Sequence, residues 1–167
     1  MPGWGLIIEW AEIARSEGDS KMYTYNERDE KVFEDLKACF RESGLPIKAE
    51  KRFDAFMLIE SEFNYPAYPV KITVLLDAPH DTVTMNLYYG TVPKEKMPVL
   101  YELVDRINMV LYSSHFVIHP ETGQLALLSA MYFTDDKINK TEFHMILYSF
   151  LYTIVTLSNV RFVRETL

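Results

Sequence analysis

Two runs of strict alternation, four residues apart, constrain this chain more than any other feature. Val70, Ile72, Val74 and Leu76 alternate with Lys71, Thr73, Leu75 and Asp77, and Val83, Met85 and Leu87 alternate with Thr84, Asn86 and Tyr88. A period of two sends successive side chains to opposite faces, so each run reads as a strand with one face more apolar than the other. Ala78-Pro79-His80-Asp81 between them is turn chemistry, and the pair reads as an antiparallel hairpin. Residues 46–52 and 54–62 carry similar strand chemistry, and Pro66 and Pro69 mark the loop before the hairpin. A sheet with one apolar face needs another layer to cover it.

Helical periodicity supplies that layer. Val32, Phe33, Leu36, Cys39 and Phe40 form a stripe within residues 27–43, with Asn26 as N-cap, Asp29 at the third helical position, Gly44 as C-cap and Pro46 beyond. A further helix starts near Pro93, its stripe being Leu100, Leu103, Val104, Ile107, Val110 and Leu111; Pro98 in its early turns kinks or delays the start. His115 to His119 reads as a strand, Pro120 to Gly123 as a turn with Gly supplying a positive φ, and Gln124 to Phe133 as the return strand. The last helix covers about 140–165, opened by Asn139 with Glu142 three residues on. Its core residues are Phe143, Ile146, Leu147, Phe150, Leu151, Ile154 and Val155, and Met145, Tyr148 and Tyr152 carry the apolar face past half the circumference. Such a helix is buried on more than one side, by its own sheet and by another subunit.

Residues 4–16 suit a short amphipathic helix, with Leu6, Ile7, Trp10, Ile13 and Ala14 on one face. Ser16 to Ser20 is a short linker. The expected organisation is an N-terminal extension, 1–25, and one domain, 26–167, of α+β class: an antiparallel β-sheet packed against long α-helices.

Charge excludes some functions. Lys and Arg total 17 and Asp and Glu total 24, a net charge of −7. Binding to nucleic acid or to an anionic membrane surface needs clustered cations, and the densest cluster here, Lys48, Lys51 and Arg52, is interrupted by Glu50. The longest uncharged run, Met145 to Val160, is shorter than the about 18 to 20 residues of a spanning helix and is rich in Tyr, Ser and Thr. The opening MPGWGLIIEW has no basic region and carries Glu9 in its apolar stretch, so it does not read as a secretory signal. With a single cysteine, Cys39, the fold needs no oxidising compartment, and the expected location is the cytoplasm.

Candidate chemistry is sparse. His115 and His119 have the spacing that chelates zinc on a helix, but on a strand they stand about 13 Å apart, too far for one ion. Asp135, Asp136 and Glu121 read as turn or helix-start carboxylates, and Glu60 and Glu62 as residues on the wet face of a strand. The chain has no phosphate-cradling glycine loop, nucleophile elbow or zinc-protease motif. The reading is therefore a non-enzyme with no metal and no cofactor. What stands out is 11 Tyr, 10 Phe and 8 Met. Tyr65, Tyr68, Tyr88 and Tyr89 fall near strand ends or loops, and Tyr and Met favour adhesive surfaces.

The run from Val92 to Phe133 resembles the YbjN family. A helix ending in Ile107-Asn108 is followed by the strand Phe116-Val117-Ile118-His119, an acidic turn with Gly123, a return strand, and a long helix preceded by Lys140-Thr141-Glu142-Phe143. The resemblance spans roughly 27–165. It implies a fold similar to type III secretion chaperones, which are small, often acidic dimers that bind extended partner segments. Some YbjN-like proteins are labelled sensory-transduction regulators. The family carries no agreed catalytic residues, and residues 1–25 are an addition to its pattern.

Two functions follow. The first is a protein-interaction module, chaperone-like or regulatory and homodimeric, making contacts through Tyr148, Leu151 and Tyr152 with Trp4 and Trp10. The alternative is a small-molecule sensor or enzyme with a pocket between helix and sheet, lined by Asn108, His115 and His119.

Overall fold

The computed structural model describes residues 23–54, 56–64, 69–111 and 113–158. Trp4, Trp10, the 4–16 helix, Tyr65, Tyr68 and the last helix beyond 158 lie outside the described residues.

Helix α1 spans Glu27–Glu42. The Asn26 side chain accepts from the Asp29 N–H, and the Asp29 carboxylate accepts from the Asn26 N–H, so two orphan donors are satisfied reciprocally. Strands β1 (Ala49–Arg52), β2 (Phe56–Asn64), β3 (Pro69–Asp77) and β4 (Thr82–Thr91) follow as an antiparallel meander. The turn at Ala78–His80 is a single 3₁₀ turn closed by Asp81 at φ 53°, where the Arg28 guanidinium reaches its carboxylate at 2.8 Å. After β4 a 3₁₀ turn, Lys94–Lys96, leads into α2 (Met97–Asn108), with Pro98 in its first turn. Strands β5 (His115–Ile118) and β6 (Gln124–Tyr132) and helix α3 (Lys140–Ser158) complete the order.

Among the described residues the six strands form one sheet in the order β1-β2-β3-β4-β6-β5. Strand β6 is antiparallel to both β4 and β5. Strands β4 and β5 are thus parallel, which is why a helix, α2, must carry the chain across between them. Gly123, at φ +70° in the β5–β6 turn, lets its carbonyl accept from Val92 N–H at 2.8 Å. A register shift at Tyr88/Gly90 lets β4 bend where Tyr89 packs on Phe116.

The three described helices share one face of the sheet. Met57, Ile59, Ile72, Val74, Leu76, Val83, Met85, Leu87, Leu127 and Met131 point to it and form one core with Phe33, Leu36, Phe40, Leu100, Val104, Phe143 and Phe150. Arg52 pairs with Glu30, and Lys37 with Glu50, along the α1–β1 border. Cys39 is buried within this core, and burial pushes its thiol up to about 11.

The opposite face departs from the alternation pattern. Phe56, Leu58, Glu60, Thr73, Leu75, Asn86 and Ala126 point there, yet all are buried. Glu60 was expected on a wet face with Glu62; Glu62 is exposed, but Glu60 is buried, with Oε1 3.5 Å from Lys51 Nζ. Alternation states which face a side chain takes, and burial depends on what lies over that face.

Candidate functional site

Helix α3 offers the surface that stands apart. At 100° per residue, Phe143, Leu147, Phe150 and Ile154 share one arc, and all are buried against the sheet and α1. The Phe143 and Phe40 rings pack 5.7 Å apart, and Lys140 pairs with Glu42 at 2.5 Å, fixing the start of α3 on the end of α1. Met145, Tyr148 and Tyr152 fall on the opposite arc and are 67%, 64% and 73% exposed.

A helix packed on one side normally gives its outer face charged residues. Helix α1 does so with Glu27, Lys31, Glu34, Arg41 and Glu42. The outer face of α3 has no charge after Glu142: it presents Met145, Tyr148, Tyr152 and Thr156. The Thr156 hydroxyl donates to the Tyr152 carbonyl at 2.9 Å, leaving a satisfied hydroxyl on the helix. Thr153 does the same to the Ser149 carbonyl at 2.7 Å. The rings of His144 and Tyr148, 6.5 Å apart, border the stripe.

The residues expected to make contacts are therefore divided. Tyr148 and Tyr152 lie together on the outer stripe, Leu151 turns inward to the core, and Trp4 and Trp10 lie outside the described residues. Met145 joins the stripe; its i, i+3, i+7 spacing with the two tyrosines was the signal for it.

The expected pocket lining has another use. The Asn108 amide donates to the Phe116 carbonyl at 2.9 Å and accepts from the Phe116 N–H at 2.7 Å. Those two groups face away from β6, on an edge strand, so Asn108 takes the place of a neighbouring strand there. His115 is exposed at the start of β5. His119 lies past its other end, where Nδ1 accepts from the N–H groups of Glu121 and Thr122. Asn108 and His119 thus serve the edge strand and its turn at separate points, and His115 is exposed.

Among the described residues no group of three or more His, Cys, Asp or Glu is placed to hold a metal ion, and no helix is long and apolar enough to cross a membrane. No protein-family model and no curated protein matches this chain.

Proposed function

We propose that this protein is a non-enzymatic interaction module that pairs with a second copy of itself, and so presents a protein-binding surface, through the outer stripe of α3. The observation that carries this reading is the uncharged, exposed row Met145, Tyr148 and Tyr152 on a helix whose other face is core. Tyrosine brings contact area at low ordering cost, methionine adapts its shape to a partner, and the stripe has no charge to repel a copy of itself. A large side chain hides roughly 150–250 Å² when fully covered, and these are about two-thirds exposed, so two stripes together remove roughly 600–1,000 Å² from water, the size of a weak, reversible contact. A two-fold axis is the simplest way to close such a patch on itself. The resemblance of residues 92–133 to the YbjN family supports a regulatory or chaperone-like role for the pair, acting in the cytoplasm.

Sedimentation equilibrium of wild type and of the Tyr148→Glu/Tyr152→Glu variant tests this. The expected result is a dimer that becomes a folded monomer in the variant. A wild type that stays monomeric at high concentration, and that recovers the same proteins from native lysate as the variant does, overturns the reading.

A further inference from the structure

The far face of the sheet, opposite the three helices, is buried in a pattern. On β2 the buried residues are Phe56, Leu58 and Glu60, on β3 Leu75 and Thr73, on β4 Asn86, and on β6 Ala126. Leu58 is 0% and Leu75 is 7% exposed, values an uncovered sheet face does not give leucine. These residues form a diagonal band. The two corners off the diagonal are open: Glu62 at the far end of β2 is exposed, and so are Ala130 and Tyr132 on β6. From Phe56 to Ala126 the band crosses three strand spacings and six residues of strand length, about 24 Å corner to corner.

We propose that residues 4–16 of this chain dock on that band as an amphipathic helix, giving the sheet a second covering layer in cis. Three features select this occupant. The first is length: 13 helical residues span ~20 Å, close to the band. The second is attachment. The Tyr25 hydroxyl donates to the Phe53 carbonyl, and the Phe53 ring stacks on Phe56, so the described chain begins beside the corner where the band begins. Residues 17–22 reach about 20 Å when extended, more than the ~10 Å between packed layers. The third is complementarity. Leu6, Ile7, Trp10, Ile13 and Ala14 form the apolar face of the segment and match the apolar Phe56, Leu58 and Leu75 of the band, whose flanking Lys51 and Lys71 are already paired with Glu60 and Glu62.

Trp4 and Trp10 are the chain's two tryptophans, so tryptophan emission reports this segment alone. In the full chain the expected emission is blue-shifted, with acrylamide quenching several-fold weaker than for free tryptophan. Ala130 is exposed and shares a row with Leu75 and Leu58, so a nitroxide on Ala130→Cys should quench the emission. One on Met145→Cys, on the helix side, should leave it unchanged. Leu75→Lys should return the emission to a solvent value; should that variant unfold, Ile7→Asp/Ile13→Asp reads the same release without touching the sheet. Solvent-like tryptophans in wild type overturn the proposal, because some other segment or partner then covers the band. Equal quenching by the two labels, or retained protection in a folded Leu75→Lys protein, also overturns it by placing the segment elsewhere. Protection lost on dilution overturns the intramolecular form, since a second copy then supplies the segment.

Discussion

Asn108 pairs through both ends of its side-chain amide with the N–H and the carbonyl of Phe116, the second residue of an edge strand. A side chain thus takes the place of a seventh strand, at the point where an open ladder would otherwise invite pairing with another chain. Asn108→Ala should destabilise the fold by about 1–3 kcal/mol in urea unfolding. Asn108→Asp, which keeps the acceptor but sets a carboxylate oxygen against the Phe116 carbonyl, should cost at least as much. Amide exchange at Phe116 should rise in Asn108→Ala, which removes the acceptor of that N–H. Unchanged exchange would show that the pairing does not hold the strand.

Gly123 is locked by geometry as well as by φ. A Cβ there would lie 2.4 Å from the Val92 carbonyl oxygen, whereas one on Gly44, at a similar φ of +68°, meets open space. Gly44→Ala should cost about 1–2 kcal/mol, the left-handed penalty alone. Gly123→Ala should cost clearly more, since the β4–α2 corner must also move. Equal midpoints in thermal unfolding would refute the contact.

Cys39 should be inert in the folded protein. Its thiol is buried and pushed up to about 11, so little thiolate exists at pH 8. Reaction with a disulfide reagent should follow global opening and accelerate steeply with urea. A fast, urea-independent reaction would place the thiol at the surface.

Acid should weaken the α1–β1 border. Hydrogen bonds from the Arg52 guanidinium hold the Glu30 carboxyl below the usual glutamate range, and Lys31 does the same for Asp136. A carboxyl lowered in the folded state adds stability that is full at neutral pH and is lost as pH falls through the acidic carboxylate range. Glu30 and Arg52 are about half exposed, so the effect is modest and salt-sensitive. The Arg52→Met variant should show a shallower loss of stability below pH 5 than wild type. Identical pH profiles would remove the pair from the account.

The α3 stripe makes the remaining prediction. Met145→Lys alone, on the same exposed arc as Tyr148 and Tyr152, should weaken self-association without changing the unfolding midpoint of the dissociated chain. A fall in monomer stability of more than about 1 kcal/mol would mean that the stripe packs within its own domain.

Periodicity by itself determined the order of the described elements, although α2 starts at Met97 rather than near Pro93 and ends before Val110, which is 81% exposed and not core. The β3–β4 hairpin, the start of α1 at Asn26, the turn ending at Gly123 and the start of α3 are all written in short runs of sequence, because caps, turns and face alternation depend on neighbours within a few residues; the C-cap of α1 is Ser43, with the expected Gly44 one residue beyond at a positive φ. The candidate surface was partly legible for the same reason, since Tyr148 and Tyr152 lie one turn apart on the helix. Leu151 sits beside them in sequence but 100° around the helix from Tyr152, and the packing of α3 on the sheet and α1 turned it inward. Three other features were decided only by tertiary structure: β6 between β4 and β5, Asn108 against the backbone of Phe116, and Glu60 beneath a covered face. Each depends on groups far apart in the chain meeting in space, and no local pattern of side chains encodes which strand becomes an edge or what lies over a sheet.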